Sequence, residues 1–213
     1  MEAVNMNVNQ KGLLMCAEVT LFDPDDPLQK VITTAFFESG ATLTFISEEL
    51  AGKLNLEFEK EELFAVETFA TREPQTYLSS RVRIGLLLEN QEMTTLSART
   101  VPFVSGPMQM ELVLSSNQDR LRTHGVTAQP GMLIGNDYFW DLVLSNDFFM
   151  KQLPNGYKLV HTRLGYVITG KPFQANDLCM SAINSEALEK PLQHQKLEEL
   201  VEKFWSIEFR GNI

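Results

Sequence analysis

The chain has 213 residues, 44% of them hydrophobic and 22% charged, and its 28 acids against 18 Lys and Arg give a formal charge of −10. That length suits one well-buried domain plus an appendage, and the acidic balance argues against direct nucleic-acid binding, which is driven by Lys and Arg. No apolar run approaches the ~18–20 residues that cross a bilayer, so no membrane partner is expected.

Residues 1–12 are polar and lack the basic-then-apolar plan of a signal peptide, and read as an N-terminal extension. Residues 13–21 and 30–37 are β-rich runs on either side of Asp23-Pro24-Asp25-Asp26-Pro27, a stretch dense in turn formers. They predict a hairpin whose second strand delivers Glu38 into a tight loop, with Gly40 placed where a turn would use its φ freedom. Cys16 lies in the first run and reads as a small buried hydrophobe. Its distance from Cys179, with no pairing pattern, fits a reducing intracellular setting, cytoplasmic or nuclear.

Residues 42–46 read as a strand. Residues 47–54 read as a short helix with Ser47 as N-cap, Glu48 and Glu49 in the first turn and Lys53 near the end. Strands are predicted at 64–68, 77–88 and 94–104. Met132-Leu133-Ile134-Gly135 is a compact apolar run ending in glycine, and residues 136–143 repeat apolar positions at roughly helical spacing. Residues 158–160 and 166–169 close the β-rich part, which is expected to span 13–173. Residues 174–190 read as a linker, and 191–213 as an amphipathic helix and tail. Leu197, Leu200, Val201, Phe204 and Trp205 recur at i, i+3, i+4, i+7 and i+8, a stripe suited to docking on its own domain or on a partner.

The chemistry concentrates in Phe36-Phe37-Glu38-Ser39-Gly40-Ala41. Two bulky apolar residues run into an acid, a small hydroxyl residue, a glycine and an alanine. Apart from Glu38 in place of aspartate, the run resembles the active-site loop of a retroviral-type aspartic peptidase. Elsewhere the sequence offers little. His124, His161 and His194 are scattered, with no Cys/His/Asp spacing for zinc. No serine has a Gly-x-Ser-x-Gly context. Asp23, Asp25 and Asp26 lack the glycine and terminal glutamate of a calcium loop. No metal or cofactor is expected.

Between residues 13 and 171 the chain resembles the aspartic peptidase domain of Bel/Pao-type LTR retrotransposon polyproteins and genome-resident proteins derived from them. The resemblance rests on three motifs in order: residues 35–40 followed by Phe45-Ile46-Ser47, then Leu133 to Trp140, then Thr162 to Gly170. It implies a mostly β fold, a retropepsin-like closed β-barrel with short helices, forming one lobe of a homodimer. No Asp-Thr-Gly or Asp-Ser-Gly occurs in the chain, so a catalytic pair would need one Glu38 from each protomer. The resemblance also implies that Leu133, Ile134 and Gly135 pack under the active-site loop. A flap is implied between residues 63 and 88, with its tip near Phe69, Ala70 and Thr71. That segment has no glycine between Gly52 and Gly85. Asp137 reads as a cap for the following turn rather than a member of the catalytic pair.

Two carboxylates brought together in this way cannot both ionise; they share a proton and divide the roles of base and acid. Glutamate moves the carboxyl oxygens by roughly 1 Å, and a misplacement of that size can lose ~10²-fold in rate. The expected reading is an impaired site in a homodimeric peptide- or protein-binding module. The alternative is an active endopeptidase that uses Glu38 from each protomer.

Overall fold

The computed structural model describes residues 12–66, 75–117, 120–145 and 147–173. The predicted hairpin forms as β1 (Cys16–Asp23) and β2 (Asp26–Phe37), paired antiparallel from Cys16 opposite Phe36 to Phe22 opposite Lys30. The turn is shorter than its five turn-forming residues suggest. Only Pro24 and Asp25 lie between the strands, because the Asp23 side chain accepts the Asp25 N–H at 3.0 Å and closes the bend locally.

After the loop 38–44 come β3 (Phe45–Ser47) and helix α1 (Glu48–Lys53). Ser47 caps α1 as expected, its hydroxyl accepting the Leu50 N–H at 3.3 Å. Leu50 and Ala51 turn inward, while Glu49 pairs with Lys53 on the exposed face at 2.6 Å. β4 (Glu62–Val66) and β5 (Gln75–Ser79) make a separate antiparallel hairpin. The single strand expected over 77–88 is therefore divided, β5 ending and β6 (Arg81–Leu87) beginning around Ser80. Ser80 is where the chain changes sheet. Its N–H goes to Thr100 Oγ1 and its carbonyl takes the Thr100 N–H, both at 2.9 Å. β7 (Met93–Val101) ends before Pro102, which has no N–H to continue a ladder.

A closed six-stranded barrel follows in the order β1-β2-β10-β3-β7-β6, where β10 is Met132–Ile134. β10 runs parallel to β2 and antiparallel to β3, and β3 runs parallel to β7. The barrel is filled by alternate residues, as the two-residue period of strands requires. Val19, Leu21, Ala35, Phe37, Ile46, Val82, Ile84, Leu86, Ala98, Met132 and Ile134 all point in. The mostly β expectation is met, with short helices at α1 and at α2 (Asn136–Val143). No helix among the described residues is long and apolar enough to cross a membrane.

One large element had no counterpart in the sequence reading. β8 (Met108–Asn117) and β9 (Arg120–Ala128) form a long antiparallel hairpin. Met108, Met110, Leu112, Val126 and Ala128 cover the outward side chains of Cys16, Phe36 and Leu133. Cys16 is thus buried between barrel and hairpin, as a small hydrophobe would be, and burial raises its thiol pKa to about 11. The last strands, β11 (Phe149–Gln152), β12 (Lys158–Thr162) and β13 (Gly165–Thr169), make a three-stranded antiparallel sheet. It is tied to the start of the barrel by paired Leu13–Gly170 backbone hydrogen bonds of 2.7 and 2.9 Å.

Candidate functional site

The loop from Glu38 to Thr44 leaves the barrel at the end of β2 and is held by β10 and α2. The Glu38 N–H donates to the Ile134 carbonyl at 3.0 Å, and the Ala41 N–H closes a turn on the Glu38 carbonyl at 3.1 Å. The Asn136 N–H then takes the Ala41 carbonyl at 2.7 Å. Within this frame Glu38 is half-buried, Ser39 and Gly40 are exposed, and Ala41 is half-buried. The Glu38 carboxylate turns back on its own loop: Oε1 accepts the Gly40 N–H at 2.9 Å.

Gly40 serves differently from expectation. The positive-φ glycines among the described residues are Gly156, Gly165 and Gly170, so the loop does not draw on left-handed freedom at Gly40. What it uses there is the N–H. Gly135 is the glycine that sterics demand. A Cβ on Gly135 would lie 2.2 Å from the Leu43 carbonyl oxygen and 2.4 Å from its carbon, which are backbone atoms that no rotamer change can move.

The far end of the loop is fixed by side chains. Thr44, 1% exposed, donates its N–H to Asp137 Oδ2 at 3.0 Å and its hydroxyl to Asp137 Oδ1 at 2.7 Å. Thr44 Oγ1 in turn accepts the Gly135 N–H at 3.0 Å. This corrects the reading of Asp137 as a cap for its own helix. Gly135 is the N-cap of α2, with no side-chain cap bond, and both Asp137 oxygens reach across to the loop instead. The carboxylate still sits in the first turn of α2, where the helix dipole favours it. No sequence spacing announces a Thr44–Asp137 pair 93 residues apart.

The apolar-apolar-glycine run divides its labour. Ile134, fully buried, fills the barrel beneath the loop, and Gly135 touches the loop backbone. Leu133 faces the other way, onto the β8–β9 hairpin, because successive side chains of a strand point to opposite faces. α2 buttresses the site from outside, with Phe139 packing edge-on against Phe37 at 6.0 Å between ring centroids. Tyr138 Oη accepts the Ser97 N–H at 3.1 Å and joins α2 to β7.

Of the residues implied as flap, the hairpin arms β4 and β5 are present. Phe69, Ala70 and Thr71 lie outside the described residues, as does the stripe Leu197, Leu200, Val201, Phe204 and Trp205. The arms root on Arg99 of β7. Its guanidinium lies over the Phe64 ring at 4.5 Å and its Nη2 donates to Glu62 Oε1. Phe64 also meets Phe45, the first residue of β3, at 6.0 Å.

Two cavities lie away from Glu38. The larger, about 450 Å3, is lined by residues such as Glu89, Asp147, His161 and Arg163, and the other, about 410 Å3, by residues such as Trp140, Leu144 and Arg163. His161 is built in rather than free: Nδ1 meets the Asp147 carbonyl at 2.9 Å and Nε2 meets Glu89 Oε2 at 2.7 Å. Both neighbours offer acceptor oxygens, a setting that favours the protonated ring. Burial pulls the His161 pKa down, but the Asp147 and Glu89 hydrogen bonds outweigh it, and the net direction is up. Among the described residues no three His, Cys, Asp or Glu side chains converge in a metal-binding cluster.

A family model described as "Putative peptidase (DUF1758)" matches residues 19–179. The retroviral protease-like domain of Ddi1 from Leishmania major, a crystal structure, is 12% identical over 78% of this chain and 99% of that one. Its TM-score of 0.31 is too low to support a residue-by-residue comparison. No curated protein matches the sequence.

Proposed function

The chain belongs to the DUF1758 family, and we propose that it is a retropepsin-like member of retrotransposon (Bel/Pao) descent whose catalysis is largely lost and whose groove binds peptide or protein segments as a homodimer, inside the cell. The observation that carries this reading is the contrast within one loop. Backbone hydrogen bonds frame the loop at both ends, from Glu38 N–H on Ile134 to Asn136 N–H on Ala41. The acid it presents is one methylene too long and is folded back onto Gly40.

Each chain contributes a single Phe-Phe-Glu-Ser-Gly-Ala loop, so two carboxylates meet only across a two-fold axis. Two glutamates there would displace the oxygens twice and add two rotatable bonds, loosening the water that a preorganised pair must hold. Binding suffers less. An extended peptide gains affinity from strand addition along a groove and from side-chain pockets, neither of which needs the acid.

A second reading, an active endopeptidase, draws on the same Gly40 bond: one anchored carboxyl oxygen fixes the orientation of the other. Sedimentation equilibrium at tens of micromolar, run with labelled extended peptides, tests the proposal. A dimer that holds peptide and returns it uncut supports it. A strict monomer that binds none overturns it.

A further inference from the structure

The root of the β4–β5 hairpin contains two buried polar atoms with no hydrogen-bond partner, Nη1 of Arg99 and Oγ of Ser79. Buried side-chain groups of this kind are nearly always paired, so each unpaired one calls for an explanation. We propose that Arg99 and Ser79 form a subsite for an acidic side chain of a bound extended peptide. This deepens the peptide-binding reading and rests on it.

The two residues belong together by register. Ser79 stands directly opposite Glu62 in the β4–β5 pair, and opposed residues of an antiparallel pair share a face. Glu62 is the residue that reaches Arg99, so the Ser79 hydroxyl lies on the face turned to the guanidinium. Arg99 has 12% of its side chain exposed, is held from one side by Phe64, and is fixed in its backbone by the N–H it gives to the Thr44 carbonyl at 2.9 Å. It also pairs with Phe45 in the β3–β7 ladder. The subsite is therefore joined through the backbone to Thr44, the far end of the 38–44 loop.

The chemistry selects a carboxylate. A guanidinium offers a planar fork of donors matched to carboxylate oxygens, and here Glu62 occupies only Nη2. Nη1 and the Ser79 hydroxyl can both donate to a second acceptor. Arg81 stands directly opposite Arg99 in β6–β7, so two cations share this position, and like charges opposed across strands are unfavourable until anions offset them. Lys60 lies close enough to act on Glu62 as well, while Glu59, through its N–H on the Arg81 carbonyl, borders the patch on the acidic side. Glu62 is 58% exposed and can turn out to solvent as a ligand carboxylate enters.

The test uses labelled extended peptides carrying Glu at each position in turn, compared with the same peptides carrying the neutral isostere Gln. One position should lose about tenfold or more in affinity on Glu→Gln with wild-type protein. Arg99→Met should reduce that discrimination to less than about twofold, and Ser79→Ala should weaken it partly. Peptides that bind with no Glu/Gln difference at any position overturn the subsite while leaving the binding reading intact. Discrimination that survives Arg99→Met also overturns it. Binding of no peptide at all overturns the reading and the subsite together. Because the Glu→Gln change is made in the ligand, a wild-type protein that shows no discrimination overturns the subsite even if Arg99→Met fails to fold, and Ser79→Ala then supplies the variant comparison.

Discussion

The two ends of the 38–44 loop are built to different standards. At the far end Thr44 is almost fully buried, both of its donors are spent on Asp137 and its hydroxyl oxygen takes the Gly135 N–H. At the near end the Glu38 carboxylate rests in an exposed setting, with one bond to the amide two residues on. A peptidase loop needs both: a rigid cradle and an acid held rigidly in it. Here the cradle is held by several buried contacts and the acid by one. The difference teaches that the frame of this loop and the Glu38 carboxylate are held by separate contacts.

If the contrast is right, substitutions at the cradle should cost stability and those at Glu38 should not. Gly135→Ala should have the largest effect, about 3 kcal/mol or more by chemical denaturation, because the new methyl meets fixed backbone of Leu43. A loss under about 1 kcal/mol would mean that the loop can back away and that the frame is looser than its contacts imply.

Thr44→Val comes next, at about 1–3 kcal/mol, since it strips a buried hydroxyl from the Asp137 carboxylate and from the Gly135 N–H at once. Away from the loop, His161→Gln should cost about 1 kcal/mol, and only on the acid side. The His161 pKa is raised in the folded state, so its contribution is fully present below the ordinary histidine value and fades as pH rises through the folded value. Thermal melts across that range should show a slope in wild type that is flattened in His161→Gln. Glu38→Gln should be smallest, within about 0.5 kcal/mol, as an amide oxygen can still accept the Gly40 N–H. A larger loss would place Glu38 in the frame and erase the contrast.

Much of the fold was legible because local chemistry and tertiary contacts agree. The β1–β2 hairpin, the Ser47 cap and α2 over Asn136–Val143 all follow from period, cap and turn residues. The β8–β9 hairpin was not legible. Its buried face runs Met108, Met110 and Leu112, residues without strong strand preference. The alternation of Met108, Met110 and Leu112 before Val126 and Ala128 was the available clue.

At the site, the loop was legible as a motif and its supports were not. The demand on Gly135 comes from the backbone of Leu43 within the loop, a contact across 92 positions of sequence. Asp137 looked like a helix cap because a first-turn acid commonly is one; a long-range partner in Thr44 took it instead. The placement of Ser79 opposite Glu62, the partner of Arg99, has no sequence signature at all, since it exists only through strand register.

The central claim, that this frame has outlived its chemistry, is tested most directly by peptide cleavage from acidic to neutral pH in wild type, Glu38→Asp and Glu38→Ala. The account predicts wild type no faster than Glu38→Ala, with activity gained in Glu38→Asp as the shorter acid returns the carboxylates to where the loop would hold them. Wild-type cleavage that disappears in Glu38→Ala would contradict it and make Glu38 a working catalytic residue.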